Sequence, residues 1–155
     1  MKTLVVFYSR TNTNKKVAED LARKLNADLE EIKSIKTYRG IFGYLAAGRE
    51  GLKKIPAKIE PSAKETAQYD LLVLGTPIWV GKIASPVRAY LEQQKDGIKK
   101  VAFFCVCGGS DTRPVFNEMA ELCGRQPVAT LALRTKEIKE NDFEEKLNKF
   151  SAMLE

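Results

Sequence analysis

The sequence predicts an α/β fold in which helices cover both faces of a parallel sheet. Within 155 residues, apolar β-rich runs alternate with segments of helical periodicity, and this order favours one domain with right-handed crossovers between parallel strands. The runs are nearly continuous, as expected for strands buried on both faces. Four such strands are predicted, at residues 3–8, 71–75, 101–106 and 128–133.

The first part of the chain adds an amphipathic helix and a weaker strand. The helix is predicted to begin near Lys15 or Lys16, with apolar positions that recur every four residues and form one face. Residues 28–33 alternate charged residues with Leu29 and Ile32, which predicts a strand at the edge of the sheet. The apolar face of the helix holds Val17, Leu21 and Leu25.

Three further helices are predicted in the second half. Ser85 followed by Pro86 is a typical start, with Ser85 as the cap and proline at the first helical position. Asp111 is predicted to cap a helix that ends at Gly124. The last helix has an apolar stripe of four residues. They are Phe143, Leu147, Phe150 and Leu154.

The connection between the second and third strands is unusually long and basic. Residues 41–47 could form a short apolar helix there, and so long a connection inside a compact domain is usually functional or disordered. Residues 33–64 hold eight Lys or Arg against two Glu, which accounts for the whole net charge of +6. This segment either docks an anionic partner or substrate, or serves solubility.

Composition excludes several function classes. The chain contains no histidine, so Ser/His/Asp and Cys/His catalysis are ruled out and the commonest metal ligand is absent. The three cysteines, Cys105, Cys107 and Cys123, form no four-ligand metal pattern, and their odd number argues against a disulfide framework. Cys105 and Cys107 share strand parity and are expected on one face, as small core residues.

The expected setting is a reduced cytoplasm, without membrane insertion. The start of the chain leads directly into a strand and lacks the apolar stretch of a secretory signal. No run approaches the length of a transmembrane segment. Nucleic acid is not an expected partner, because the net positive charge is concentrated in one segment and not spread along a recognition helix or a sheet face.

Six consecutive polar residues lie between the first strand and the first helix. Backbone N–H groups at a helix start lack intrahelical acceptors and lie at the positive end of the helix dipole, so such a loop can hold a phosphate. A plain helix cap also favours Thr and Asn, but six polar residues exceed what one cap needs. The six are Ser9, Arg10, Thr11, Asn12, Thr13 and Asn14.

Two more loops follow strands of the predicted sheet. In open α/β sheets, ligands bind beyond the carboxyl ends of the strands. Residues 75–81 offer an aromatic plane and backbone N–H groups, and residues 107–111 offer a glycine turn that permits close approach of the backbone. With the polar loop, they predict a site for a flat aromatic ligand that carries one phosphate.

These three loops resemble those of the flavodoxins. The sequences Ser9–Asn14, Gly75–Trp79 and Cys107–Gly109 are similar to the phosphate loop and the two later loops of that family. The resemblance covers the whole chain. It implies a three-layer, doubly wound sheet of five parallel strands in the order 2-1-3-4-5, and a non-covalently bound FMN.

The phosphate loop differs from the family pattern at two positions. The family often has Thr-Gly-Asn-Thr where this chain has Thr11-Asn12-Thr13-Asn14. Asparagine tolerates positive φ better than most residues, and its amide can replace a hydroxyl donor. FMN binding is therefore expected in spite of these two differences. Electron-carrying flavodoxins are also typically acidic, whereas this chain is basic.

The resemblance implies a set of FMN-binding residues, some of which have alternative roles. Trp79 either stacks near the flavin ring or packs in the core. Tyr38, Phe42 and Tyr44 either cover the flavin or simply pack their helix. The role of Arg10 is open. The predicted FMN-binding residues are Ser9, Arg10, Thr11, Asn12, Thr13, Asn14, Thr76, Pro77, Ile78, Trp79, Val80, Gly81, Cys107, Gly108, Gly109 and Asp111.

The predicted function is that of an FMN-binding redox flavoprotein. No catalytic side chain and no metal ligand are predicted, because the flavin would carry the chemistry. Electron transfer to a redox partner protein is favoured over NAD(P)H-dependent reduction of quinones or similar small-molecule acceptors. A partner-binding domain without flavin is the non-enzyme alternative. If Lys53, Lys54 or Lys58 lie near the flavin, they should raise its potential; the oligomeric state is not predicted.

Overall fold

The computed structural model describes residues 1–155 and has five long strands, one short strand and six α-helices. The strands are β1 (Thr3–Phe7), β2 (Asp28–Glu31), β3 (Leu71–Trp79), β4 (Lys82–Ile83), β5 (Lys100–Cys107) and β6 (Thr130–Arg134). The helices are α1 (Thr13–Lys24), α2 (Gly40–Lys53), α3 (Ser85–Gln94), α4 (Arg113–Cys123), α5 (Thr135–Lys139) and α6 (Glu144–Ala152). None of these helices has the length and apolarity that a membrane span requires.

The sheet has the predicted order. The five long strands are parallel and follow one another as β2-β1-β3-β5-β6. The two-residue strand β4 lies off this path and pairs with β3 in an antiparallel hairpin. Numbered without this short addition, the order is 2-1-3-4-5, so the predicted α/β architecture is confirmed.

Burial along the strands agrees with the prediction in the centre of the sheet and differs at one edge. β1 is buried at every position, and β2 is the mostly exposed edge strand that its charges predict. The expectation that β6 is covered on both faces is wrong, because its residues alternate between exposed and buried. β6 forms the other edge of the sheet, and only Leu131 and Leu133 face the core.

Two apolar cores lie on opposite faces of the sheet. On one face, α1 and α6 pack against the strands through a cluster of 19 buried residues, which includes the predicted apolar stripe of the last helix. On the other face, α3 and α4 pack through a cluster of 24 buried residues. The strands of the middle contribute side chains to both clusters, as the three-layer prediction requires.

One strand position accepts only glycine. Gly75 of β3 lies beside Phe104 of β5, and the Phe104 ring occupies the space above the Gly75 backbone. A Cβ atom on Gly75 would lie 2.0 Å from the Phe104 Cζ atom. The glycine therefore lets an aromatic ring lie flat on the neighbouring strand inside the core.

The predicted helix ends are only partly correct. α1 begins at Thr13, inside the polar loop. α3 begins at Ser85, so Ser85 is not its cap, and its hydroxyl instead donates to Glu50 Oε2 at 2.8 Å. α4 begins at Arg113, and Asp111 Oδ1 accepts the Arg113 backbone N–H at 3.1 Å. Asp111 thus satisfies a first-turn amide, but the cap position predicted for it is held by Thr112.

α2 occupies the long basic connection and packs in an unusual way. It extends well beyond the predicted residues 41–47, and its only buried residues are Gly43, Ala47 and Gly51, at four-residue spacing. A Cβ on Gly43 would lie 2.4 Å from the backbone carbonyl carbon of Tyr38, and one on Gly51 would lie 2.8 Å from the Trp79 oxygen. α2 is thus attached by close approach of backbones.

Candidate functional site

A cavity of about 210 Å³ opens at the carboxyl ends of β1, β3 and β5. All three predicted loops contribute to its walls. The predicted residues that line it are Arg10, Thr11, Thr13, Pro77, Ile78, Trp79, Val80, Cys107 and Gly108. The cavity therefore lies where the sheet topology places ligands in open α/β folds.

The polar loop ends in a set of unpaired backbone amides. Asn12 has φ of 64°, in the left-handed region that was expected of it. The first backbone bond of α1 runs from the Lys16 N–H to the Asn12 carbonyl, at 3.1 Å. The N–H groups of Thr13, Asn14 and Lys15 have no acceptor in the protein. These amides lie at the positive end of the helix dipole and can bind an anion.

Except for Arg10, the side chains of the loop are also without partners. Asn14 is 1% exposed, and its Oδ1 makes no hydrogen bond. The buried Oγ of Ser9 is likewise unpaired. Thr11 and Thr13 line the cavity, and no cap bond uses the Asn12 side chain. Buried polar groups are usually paired in proteins, so the loop fits a ligand with several hydrogen-bonding oxygens.

Arg10 supplies the positive charge at the cavity. Its Nη1 donates to the Tyr38 carbonyl oxygen at 3.5 Å, and its guanidinium lies 5.6 Å from the centre of the Tyr44 ring. Lys53, Lys54 and Lys58 are exposed and do not line the cavity. These three lysines are therefore not part of the cavity wall.

Trp79 lies in the core and reaches the cavity with part of its surface. It is 6% exposed. The Tyr8 ring meets it edge to face at 5.7 Å between centroids, and the Tyr38 ring lies tilted at 4.8 Å. Of the three aromatic residues considered as flavin covers, Tyr38 is buried and Phe42 is 88% exposed. Only Tyr44 lines the cavity.

A polar cluster holds Tyr38 beneath Trp79. The Tyr38 hydroxyl donates to the Glu50 carboxylate, which also accepts bonds from Lys36 Nζ and Ser85 Oγ, both at 2.8 Å. Burial alone would raise the pKa of Glu50, but these hydrogen bonds outweigh it and the pKa lies below its ordinary value. Burial, with the hydrogen bond to Glu50, raises the pKa of Tyr38 to about 12.

The β3–β4 hairpin forms the rim of the cavity. Its two loop residues, Val80 and Gly81, have φ of 51° and 72°, as in type I′ turns. Positive φ is strained for a β-branched residue such as Val80. Thr76 is fully buried and does not reach the cavity. Its Oγ1 accepts the Ala84 N–H at 3.2 Å and donates to the Pro77 carbonyl at 2.8 Å, which fixes the hairpin on the sheet.

The loop after β5 brings backbone to the cavity. Gly108 has no atoms within 4 Å of where a Cβ would lie, so its peptide is accessible. Arg134 Nη1 donates to the Ser110 carbonyl at 3.3 Å and contacts Cys107 Sγ at 3.6 Å, which ties the loop to the end of β6. Asp111 is exposed, pairs with Arg113 and does not line the cavity.

The three cysteines are buried free thiols. Cys105 is fully inaccessible and belongs to the larger core cluster. Burial, and to a smaller extent the neighbouring Cys107, raises the pKa of the Cys105 thiol to about 12. Cys105 is thus a small core residue, whereas Cys107 also lines the cavity.

Comparison with solved structures identifies the fold. The chain is similar to a flavoprotein from Lactobacillus acidophilus in complex with FMN, at 23% identity over 97% of this chain and 98% of that one, with a TM-score of 0.77. A flavoprotein from Bacteroides eggerthii gives 19% identity over 97% and 98%, with a TM-score of 0.74. This chain has the flavodoxin-like fold.

Other comparisons agree with this fold or find no match. The oxidised flavodoxin 2 from Bacillus cereus is 18% identical over 99% of this chain and 97% of that one, with a TM-score of 0.63. No protein-family model matches the sequence. No curated protein matches it either.

Within the flavodoxin-like fold, sequence reasoning missed several residues that line the cavity. Ala47 and Gly48 come from α2, Val106 comes from the end of β5, and Thr135 is the first residue of α5. The small residues at 46–48 indicate that the helix can approach another part of the protein closely. The sequence does not show which residues lie opposite them across the cavity. The predicted residues that do not line the cavity are Ser9, Asn12, Asn14, Thr76, Gly81, Gly109 and Asp111.

Proposed function

We propose that the cavity binds FMN and that the protein is a redox flavoprotein that transfers electrons. The observation that carries this proposal is the start of α1, where three backbone amides and the buried Asn14 side chain have no partners beside an open cavity. The L. acidophilus flavoprotein, which holds FMN, supports it. A domain without a ligand would leave the buried Asn14 Oδ1 unsatisfied, at a cost of about 1–3 kcal/mol.

The polar loop would hold the phosphate. The N–H groups of residues 13–15 converge at the positive end of α1, and the hydroxyls of Thr11 and Thr13 add donors. Hydrogen bonds to a charged acceptor are stronger than those between neutral groups. Arg10 adds a positive charge at the same wall of the cavity.

The two other loops would hold the ring. Val80 and Trp79 offer apolar surface on one side, and the accessible Gly108 peptide offers backbone groups on the other. Bound FMN would supply redox chemistry that no side chain of this protein can supply. The protein would orient the ring, exclude water from it and set the nearby charge through Arg10.

FMN titration of the flavin-free protein tests the proposal. We expect tight binding of FMN and weaker binding of riboflavin, which lacks the phosphate. Replacing Thr11 and Thr13 together by Ala should remove most of this preference, by roughly a few kcal/mol for two charge-assisted bonds. Thr130→Ala, at the exposed opposite end of β6, is the control and should leave it unchanged.

An equal affinity for FMN and riboflavin would show that the loop does not hold the phosphate. A protein that binds neither flavin would contradict the whole proposal and favour a partner-binding domain. These outcomes are separated by visible absorption after desalting, because retained flavin colours the protein.

Direct reduction of a small acceptor is a second candidate function. The cavity opens between Tyr44 and Val80, which are 63% and 53% exposed, so a small apolar acceptor can approach the ring without a partner protein. NAD(P)H consumption by the purified, FMN-loaded protein with a quinone would support a reductase. Absence of turnover, with fast reduction only by a separate reductase protein, would support electron transfer.

A further inference from the structure

The surface of α2 that points away from the protein is apolar and protrudes. Phe42 is 88% exposed, Ile41 77%, Leu45 61% and Leu52 60%. Ile41, Leu45 and Leu52 follow one line of the helix, opposite the buried glycines and alanine that attach α2. Soluble monomers rarely expose so many large apolar side chains together unless they bind something. We call this surface the outward face of α2.

Unpaired cations lie on α2 and on the chain that directly flanks it. They make no ion pair or hydrogen bond within the protein, whereas some surface cations elsewhere, such as Lys24 and Lys146, pair with carboxylates. The one acid of α2, Glu50, is directed inward and is held by Lys36, Tyr38 and Ser85. The unpaired cations are Arg39, Arg49, Lys53, Lys54 and Lys58.

The chemistry of this face favours a lipid surface over another protein. A protein interface exchanges hydrogen bonds in both directions, with donors and acceptors on each side. The outward face of α2 and its cations offer donors only, apart from the hydroxyl of Tyr44. Anionic lipid headgroups offer acceptors only, and below them lies the apolar layer that Phe, Ile and Leu enter. A second copy of the chain is disfavoured, because a symmetric contact would bring the same cations together.

We propose that the outward face of α2 docks the protein on an anionic membrane surface. The apolar side chains enter the boundary between headgroups and acyl chains, and Arg49 and Lys53 bind lipid phosphates. Such docking needs no membrane-spanning helix. Tyr44 and Gly48 of the same helix line the cavity, so the cavity mouth then lies beside the bilayer, where molecules dissolved in lipid can reach it.

Vesicle binding measured by flotation tests this docking. The probes are vesicles of phosphatidylcholine alone and vesicles with an equal part of phosphatidylglycerol, at low and high salt, with and without FMN. We expect binding only to the anionic vesicles, weaker at high salt. Phe42→Ser with Leu45→Ser should lower the partition coefficient about tenfold or more. Val128→Ser with Met153→Ser, also at exposed apolar positions, should not change it.

Charge reversal shows whether vesicle binding depends on the outward face of α2 or only on the net positive charge of the protein. Arg49→Glu with Lys53→Glu should abolish binding, while Lys100→Glu with Lys139→Glu, the same change in net charge on the exposed surface elsewhere, should reduce it much less. Equal losses in both pairs, or no loss on removing Phe42 and Leu45, would overturn the proposal.

Two further outcomes would also overturn it. The first is absence of binding to anionic vesicles at low salt by a protein that is folded by circular dichroism. The second is self-association that the Phe42 and Leu45 substitutions abolish, seen by sedimentation without vesicle binding; this would assign the outward face of α2 to a second copy. FMN affinity is measured on the same samples, so failure of docking and failure of flavin binding are distinguished.

Discussion

Two helices flank the cavity, and they are attached to the protein in opposite ways. α1 buries Val17 and Leu21 in a core of side chains and turns its charged residues to solvent. α2 buries glycine and alanine and turns Phe42 and Leu45 to solvent. The hydrophobic effect holds α1, whereas close backbone contact and a polar cluster hold α2. The comparison shows that apolar residues in a helix do not by themselves identify its buried face.

The sharpest test of this difference removes one leucine from each helix. Leu21→Ala in α1 should lower the free energy of unfolding by about 2–5 kcal/mol, because Leu21 is fully buried and a cavity remains. Leu45→Ala in α2 should change it by less than about 0.5 kcal/mol, as for an exposed side chain. Urea denaturation measures both. Similar losses would mean that α2 buries its leucine in solution.

The close packing of α2 is broken by adding one methyl group. Alanine favours a helix over glycine by about 1 kcal/mol, but a Cβ on Gly51 would lie 2.8 Å from the Trp79 oxygen. Gly51→Ala should therefore destabilise the protein by about 1–3 kcal/mol through overpacking, and it should shift the tryptophan emission of Trp79. Gly48→Ala is the matched control, since its Cβ would meet only the exposed Val80 Cγ2, at 3.1 Å. A larger loss for Gly48→Ala than for Gly51→Ala would contradict this account.

The polar attachment of α2 should depend on pH. Glu50→Gln should lower the free energy of unfolding by roughly 1–3 kcal/mol at pH 7, where the carboxylate accepts its three bonds. The folded-state pKa of Glu50 lies below the ordinary value of 4.5, so this contribution is complete above that value and is lost as the pH falls through the lowered pKa. The difference between wild type and variant should therefore shrink in acid.

Denaturation series at several pH values measure this difference. Glu145→Gln is the control, because Glu145 forms a fully exposed pair with Lys149 on α6 and such pairs contribute little. A loss in Glu50→Gln that persists unchanged below the lowered pKa would assign its role to packing instead of charge.

The smallest expected effect on stability concerns two residues with left-handed backbone conformation, one beside each helix. Asn12 precedes α1 and suits positive φ, whereas Val80 packs beside α2 and does not. Val80→Asn should stabilise the protein by up to about 1 kcal/mol, and Asn12→Val should destabilise it by about 1 kcal/mol. Thermal unfolding measures both shifts. Two shifts of the same sign would mean that backbone strain does not set the difference.

The features that local sequence determines were predicted well. The parallel strands follow from continuous apolar runs, their order was implied by the resemblance to the flavodoxins, and the positive φ at Asn12 follows from the tolerance of asparagine for that region. The polar loop lies at the cavity because the carboxyl ends of parallel strands share one edge of a sheet. Apart from the strand order, these inferences needed only neighbouring residues and the alternation of strand and helix.

The features that were missed depend on partners distant in sequence. The buried hydroxyl of Thr76 bonds to the Ala84 amide, and the Ser85 hydroxyl bonds to Glu50 instead of capping its own helix. Thr135 reaches the cavity from the start of α5, directly after the last strand. Phe42 points to solvent, although an apolar residue in a helix is usually expected in the core. The glycines of α2 bring its backbone so close to the protein that no larger side chain fits between them.

The fit of Phe104 over Gly75 has a consequence for how this sheet can change over evolutionary time. Gly75 cannot be replaced alone by a larger residue, because the new Cβ would overlap the Phe104 ring. A lineage that gained a side chain at position 75 would have to lose the ring at position 104 first, or nearly together. Positions 75 and 104 are therefore expected to evolve together, and a change at position 104 must come before, or with, a change at position 75.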